Sequence, residues 1–167
     1  SLDCAYNQLT ALNVQGCTAL QTLNCYNNQL TELNVQGLNA LQNLSCFSNR
    51  LTALNVQGLS NLETLLCRVN RLTELNVQGC IALRSLDCTG NRLNTQAFIK
   101  IFSDLPQIPP SYVYSVLCYL YTEKTGVPEG NLKDFSAPSE LKAAFDNAKA
   151  KRWTMYKYDA SGNMVKL

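Results

Sequence analysis

The stretch Leu20-Gln21-Thr22-Leu23-Asn24-Cys25-Tyr26-Asn27-Asn28-Gln29-Leu30 returns twenty-one residues later as Leu41-Gln42-Asn43-Leu44-Ser45-Cys46-Phe47-Ser48-Asn49-Arg50-Leu51. It returns again as Leu62-Glu63-Thr64-Leu65-Leu66-Cys67-Arg68-Val69-Asn70-Arg71-Leu72. Its columns run nearly unbroken along the chain: Leu2, Leu23, Leu44, Leu65 and Leu86; Cys4, Cys25, Cys46, Cys67 and Cys88; Asn7, Asn28, Asn49, Asn70 and Asn91; Leu9, Leu30, Leu51, Leu72 and Leu93. One such unit cannot bury its own apolar side, so successive units stack and share a core to which each turn contributes the same side chains. Residues of one column are then neighbours in space.

Within a unit, Leu23 and Cys25 alternate with Thr22, Asn24 and Tyr26, the period of two that marks a short strand with one buried face. Such strands stack side by side in a parallel sheet at roughly 4.8 Å spacing. The returning segment Leu-Thr-x-Leu-Asn-Val-Gln-Gly, at Leu9 to Gly16 and three more times, is too short for a helix. It reads as an extended or single-turn convex side, with Gly16, Gly37, Gly58 and Gly79 supplying positive φ at a corner.

Leu-x-x-Leu-x-Cys-x-x-Asn-x-Leu at a fixed period is the signature of a leucine-rich repeat. The expected fold is therefore α/β: a right-handed solenoid of 21-residue repeats with a parallel concave β-sheet. Residues 1–93 form the solenoid, about five repeats, and 94–167 form a C-terminal α/β cap. Leu2 already occupies a strand position, so the N-terminus is expected to fall inside a repeat. Backbone donors and core leucines exposed on that uncapped first strand would let another copy pair edge to edge.

Of the eight cysteines, five occupy the inward slot where these repeats carry an apolar residue, and they read as core filler. Tetrahedral zinc needs four ligands converging at about 2.3 Å, which a linear ladder of thiols cannot provide. Cys17 and Cys80 lie three turns apart, more than ~12 Å, and should not pair. Cys118 has Cys88 and Cys80 as the thiols it could approach. The asparagines fall at the bend after each strand, where a side-chain amide can satisfy buried backbone groups of its own and neighbouring turns.

Function is sought where the repeats disagree. On the concave face these positions are Asp3, Ala5 and Tyr6; Thr22, Asn24, Tyr26 and Asn27; Asn43, Ser45, Phe47 and Ser48; Thr64, Leu66, Arg68 and Val69; Ser85, Asp87, Thr89 and Gly90. Tyr26, Phe47 and Arg68 share a column, so two rings and a guanidinium should run side by side, with Leu66 and Val69 adjoining. Exposed aromatics and Arg dominate binding hot spots. The competing view is that the rings only shield one another, as cross-strand pairs do in any sheet. A second column, Gln8, Gln29, Arg50, Arg71 and Arg92, puts three guanidiniums on one rim. They could hold a sulfated or carboxylated ligand, or simply pair with Glu32 and Glu74.

From Asn94 the register is lost and prolines, lysines and tyrosines accumulate. Asn94 can cap a helix with Ala97, Phe98, Ile101, Phe102 and Leu105 on one side, stopped by Pro106 and packed over the last repeat. Tyr112 to Tyr121 reads as a strand continuing the sheet, with a short helix as the alternative. Leu141, Ala144, Phe145 and Ala148 have helical spacing, and Trp153 to Tyr158 reads as a strand turned by Asp159 to Asn163 into a final hairpin. Lys142, Lys149, Lys151 and Arg152 read as a solvated face of the second helix, and a net charge of +2 argues against a nucleic-acid partner.

The segment Leu9 to Leu20, Leu-Thr-x-Leu-Asn-Val-Gln-Gly-Cys-x-Ala-Leu, together with the cysteine and asparagine columns, resembles secreted and cell-surface leucine-rich-repeat proteins of gut bacteria, with internalin-like relatives. The likeness covers Ser1 to Leu93 closely, and the tail into Arg152-Trp153-Thr154 looks like the cap that follows such repeats, with a longer insertion around Tyr119 to Pro138. It implies a secreted or cell-surface adhesion or recognition module binding a protein or glycan. It carries over no catalytic residues, because the shared positions are structural.

The chain has no histidine, which removes the commonest general base and most metal constellations. Its glycines recur once per repeat instead of clustering into a phosphate cradle. Asp3 and Asp87 are placed at opposite ends of the sheet, too far apart for paired-carboxylate chemistry. No apolar run approaches the ~18 residues of a membrane span. The expectation is a non-enzymatic module without cofactor or metal, using Tyr26, Phe47, Leu66 and Arg68 for a protein or glycan and Arg50, Arg71 and Arg92 as a secondary rim. The alternative is a structural spacer displaying another region of a longer surface protein.

Overall fold

Residues twenty-one apart lie side by side: Leu2 pairs with Leu23, Leu23 with Leu44, Leu44 with Leu65 and Leu65 with Leu86. The computed structural model describes all residues, Ser1 to Leu167. The strands so aligned are β1 (Leu2–Asp3), β2 (Thr22–Asn24), β3 (Asn43–Ser45), β5 (Thr64–Leu66) and β7 (Ser85–Asp87). Each is brief, yet the ladder continues past it, with the Cys25, Cys46 and Cys67 N–H groups each donating to a carbonyl of the next turn at 2.9 Å. On the convex side β4 (Ala53–Asn55) and β6 (Glu74–Asn76) form a separate parallel pair. Leu, Val and Cys from both sides fill a single continuous core.

Past the cysteine the chain must reverse, and it does so through one left-handed residue per turn. Tyr6, Asn27, Ser48 and Val69 have φ of 54°, 52°, 53° and 53°, and Gly90 has 66°. This conformation is comfortable for Asn and Gly and strained for a β-branched valine. Immediately afterwards a buried asparagine ties two turns together. The Asn49 amide donates to the Cys25 and Cys46 carbonyls at 3.0 and 3.1 Å, while its oxygen accepts from the Leu30 N–H at 2.9 Å. Asn28, Asn70 and Asn91 repeat the arrangement.

The recurrent Asn-Val-Gln-Gly on the outside has its own explanation. Asn13, Asn34, Asn55 and Asn76 each accept from the backbone N–H two residues on, fixing the corner. Gln15 and Gln36 reach across to the Asn34 and Asn55 carbonyls of the following turn. Gly37 then turns the chain at φ 82° with open space where a Cβ would stand, so conformation and not crowding selects glycine.

The C-terminal segment extends both layers. Helix α1 (Thr95–Asp104) begins where the Asn94 side chain accepts from the Ala97 N–H, and it buries Phe98, Ile101 and Phe102. These rings meet Phe135 and Phe145, the latter on α2 (Ser139–Ala150), at centroid distances of 5.1 to 5.7 Å. Strand β8 (Leu117–Thr122) pairs parallel with β7, β9 (Thr154–Tyr158) pairs parallel with β8, and β10 (Met164–Lys166) closes an antiparallel hairpin on β9. The main sheet therefore has eight strands. The asparagine ladder crosses into this segment: Asn131 donates to the Cys88 and Leu120 carbonyls at 2.9 and 2.7 Å and accepts from the Leu93 N–H at 2.8 Å.

Three expectations are corrected here. The strand begins at Leu117 and not near Tyr112, because β7 offers partners only from Ser85 onward. Val113 and Tyr114, 82% and 76% exposed, lie instead just past a turn closed by the Tyr112 N–H on the Pro109 carbonyl, where Arg152 donates to the Pro109 and Tyr112 carbonyls. Lys151 also leaves the solvated face assigned to it, whereas Arg152 stays exposed. The Lys151 ammonium donates to the Phe102, Ser103 and Leu105 carbonyls at 3.3, 2.7 and 2.9 Å, satisfying the open end of α1. Finally, Asp87 sits mid-sheet and not at an end, since three further strands follow β7.

Replacing Asn49 by Ala leaves the buried Leu30 N–H unpaired, and replacing Asn131 leaves the Leu93 N–H unpaired, while each carbonyl they hold loses a donor; each variant should lose about 1–3 kcal/mol in urea denaturation. Val69→Gly relieves the left-handed valine and should gain roughly 1 kcal/mol by the same measurement. Gly90→Ala should lose stability, because its Cβ would stand 3.2 Å from the Pro128 oxygen and the Val69 nitrogen.

Candidate functional site

One strand position beyond each inward cysteine, the side chain returns to the concave face. Tyr26 and Phe47 stack there almost parallel, with centroids 4.4 Å apart and planes inclined by 10°. The Arg68 guanidinium carbon lies 4.1 Å from the Phe47 centroid, continuing the stack. At the other end Tyr6, 75% exposed, meets Tyr26 edge to face at 5.2 Å. Tyr6 reaches the row from the left-handed bend, a column the sequence places flat on the face. All three members of the row proper are half-buried, with edges open to solvent. Offset ring pairs contribute about 0.5–1.5 kcal/mol and exposed cation–π contacts about 0.5–1 kcal/mol, so the row is ordered without any ligand.

Leu66 stands in the neighbouring column, between Ser45 and Asp87 in register, and is half-buried. Tyr26, Phe47 and Arg68 thus form a contiguous stack with Leu66 flanking it. Arg50, Arg71 and Arg92 are exposed in a different column past the asparagine bend. Neither Glu32 nor Glu74 forms an ion pair with them; the chain's four salt bridges lie elsewhere. Glu74 belongs to the convex strand β6, and Glu32 lines a convex depression with Leu12 and Asn34.

Asp87 and Thr89, expected on the open face, are each only 2% exposed. The reason is a set of tyrosines that sequence reasoning left in the tail. Tyr119 follows Asp87 in register on β8, and Tyr156 follows Tyr119 on β9. Tyr119 stacks on Tyr158 at 5.3 Å and 6°, and on Tyr156 at 5.6 Å. The available signal was the alternation Cys118-Tyr119-Leu120, which repeats the in-out-in pattern of Leu23-Asn24-Cys25.

Under these rings the Asp87 carboxylate accepts from the Thr89 hydroxyl and N–H at 2.8 and 3.1 Å and pairs with Arg68 at 3.4 Å. Burial pushes the Asp87 carboxyl above the ordinary range, against the opposing pull of the Thr89 hydrogen bonds and the Arg68 charge. Burial, with the nearby Asp87 and Tyr119, lifts the Tyr158 phenol to about 12. A cavity of 290 Å³ opens beside them, lined by Arg68, Val69, Thr89, Thr122, Lys124 and Tyr158 among others.

All eight cysteines are free thiols, six of them buried. Burial lifts Cys25 to about 12 and Cys80 to about 11, and Cys46, Cys67 and Cys88 well above the usual range. Such thiols stay protonated and inert at neutral pH. Cys118 pairs in register with Leu86, so it occupies the leucine column of the sheet and not the cysteine one. No cluster of three or more His, Cys, Asp or Glu side chains is arranged to hold a metal ion. No helix is long and apolar enough to cross a membrane.

No protein-family model matches the chain, and no curated protein does. Among solved structures it is similar to the functional domain of InlJ from Listeria monocytogenes, described as including a cysteine ladder. Identity is 38% and the TM-score 0.53, over 55% of this chain and 20% of that one. The chain therefore spans about a fifth of that protein chain's length. The likeness supports the leucine-rich-repeat, internalin-like resemblance and the reading of the inward thiols as a cysteine ladder.

Because the Asp87 carboxyl is held above its unfolded value, its contribution to stability is full below that unfolded value and is lost as pH rises through the folded one. In urea melts from about pH 3 to about pH 7, the stability of the wild type relative to Asp87→Asn should be greatest at the acid end and decline steadily. A flat difference would contradict the buried-carboxyl account.

Proposed function

We propose that the chain is a non-enzymatic recognition module whose concave face binds a protein or glycan of another cell through Tyr26, Phe47, Leu66 and Arg68. The observation that carries this is the stacked row from Tyr6 to Arg68, ordered in advance and open along its edges. A surface whose side chains are already fixed loses little rotamer freedom on binding, so more of each contact appears as affinity. Tyr and Arg are the residue types that most often concentrate that affinity. A role in shielding alone would be met by the Tyr26–Phe47 pair and leaves the exposed Tyr6 without a purpose.

Tyr119, Tyr156 and Tyr158 extend the same face across the C-terminal segment, which we assign as the cap of the solenoid. This reading accounts for the Asn131 rung and the buried Trp153, whose indole donates to the Pro106 carbonyl at 3.0 Å. The surface would be displayed outside the cell, in keeping with the internalin-like resemblance. The spacer reading remains the competing outcome of the binding test.

Purified protein should give a saturable hit on arrays of glycans and extracellular-matrix proteins. The folded variant with Tyr26, Phe47, Leu66 and Arg68 changed to Ala should lose at least tenfold in affinity for it, about 1.4 kcal/mol or more. A hit retained by that variant, or no hit at all, would transfer the weight to the spacer reading.

A further inference from the structure

Arg50, Arg71 and Arg92 occupy one column on three consecutive turns, so their backbones are stepped by a strand spacing of roughly 4.8 Å. Their backbone N–H groups bond in the same way to the Leu30, Leu51 and Leu72 carbonyls at 2.8, 2.8 and 2.9 Å, which fixes that step. All three are exposed and none has an acidic partner. Together they line a groove of 550 Å³ on the flank of the solenoid.

One carboxylate, Glu129, does lie in this groove, and its orientation is informative. Its two oxygens accept from the Gly90, Thr122 and Asn131 N–H groups at 2.9, 2.6 and 2.8 Å. It pins the C-terminal segment to the last turn and leaves the three guanidiniums without a counter-ion. The same segment braces Arg92: a Cβ at Gly130 would stand 3.3 Å from the Arg92 Cγ, so the backbone lies flush against the arginine stem. A row of unpaired cations with an ordered spacing and a shaped wall is suited to an extended anion.

We infer that this groove is a second binding site, independent of the concave row, for a linear sulfated polysaccharide laid along the solenoid axis. The planar guanidinium can grip a sulfate or carboxylate through two N–H groups at once, which a lysine ammonium cannot. The groove is otherwise lined by Val69, Pro128, glycine backbone and Asn49, Asn70 and Asn91, whose amides are taken up by the buried ladder, so the three guanidiniums are its free polar groups. Nucleic acid fits less well. Single strands are held by aromatic platforms between the cations, and the groove contains no aromatic residue. The chain as a whole carries only +2.

The test is titration with a heparin octasaccharide at low and moderate salt, for wild type, Arg50→Gln/Arg71→Gln/Arg92→Gln, and the concave Tyr26, Phe47, Leu66 and Arg68 to Ala variant. Circular dichroism melts check that each is folded, and Arg71→Gln alone serves should the triple change disturb the fold. Wild type and the concave variant should bind alike, and the triple variant should bind at least tenfold more weakly. Its log–log salt dependence should also be shallower, by about one for each guanidinium removed. Failure of wild type to bind at low salt, or equal binding by the arginine variants, overturns the site. Equal affinity for desulfated heparin of the same length, or for a single-stranded oligonucleotide of equal charge, overturns the assignment to sulfated glycan.

Discussion

A single buried amide per turn fixes the relation of each coil to the next. Asn28, Asn49, Asn70 and Asn91 each hold two strand-end carbonyls and one backbone N–H of the preceding turn. Burying those groups unpaired would cost about 1–3 kcal/mol apiece, so a turn that slips in register forfeits several bonds together. With the register locked, every residue type spaced by one repeat is drawn into a column. Leucines and cysteines become a core, Tyr26, Phe47 and Arg68 become a stack, and Arg50, Arg71 and Arg92 become a rim. The surface features are consequences of the interior one.

The same device explains how the irregular segment joins the repeats. Asn131 has no place in the 21-residue pattern, yet it supplies the rung above Asn91 by reaching the Cys88 and Leu120 carbonyls and the Leu93 N–H. Glu129, two residues earlier, bonds the Gly90 and Asn131 N–H groups beside it. With that attachment made, β8 and β9 extend the sheet, and Tyr119 stands beside Asp87 with Tyr156 and Tyr158 stacked on it. A carboxylate that would have been an exposed acid on the concave face becomes a buried anchor for Arg68, whose guanidinium in turn closes the aromatic stack. Interior hydrogen bonding, sheet extension and the character of the proposed binding face are in this sense one structure.

Periodicity made the columns readable in advance. A residue repeated every turn reports directly on its environment, and so Leu65, Cys67 and the Tyr26–Phe47–Arg68 alignment could be placed from spacing alone. Features contributed once, by residues far apart in the chain, could not. Lys151 looked like one more charge after a helix, and only the fold brings it to the end of α1. Asn131 looked like a turn residue for the same reason. Asp87 was misplaced because its burial depends on tyrosines some thirty and seventy residues further on. The left-handed bend was hidden by its varied occupants, Tyr6, Asn27, Ser48 and Val69, of which only Asn27 and the final Gly90 announce that conformation.

Native-state hydrogen exchange of the leucine amides that bond to asparagine side chains tests this account most directly. The Leu30, Leu51, Leu72 and Leu93 N–H groups should all exchange only through global unfolding, with the same free energy and the same urea dependence. Leu93 is decisive, because its partner is Asn131 and not a residue of the repeats. Exchange of Leu93 through a low-energy local opening, while the other three stay protected, would contradict the claim that one amide ladder binds repeats and C-terminal segment into a single cooperative unit.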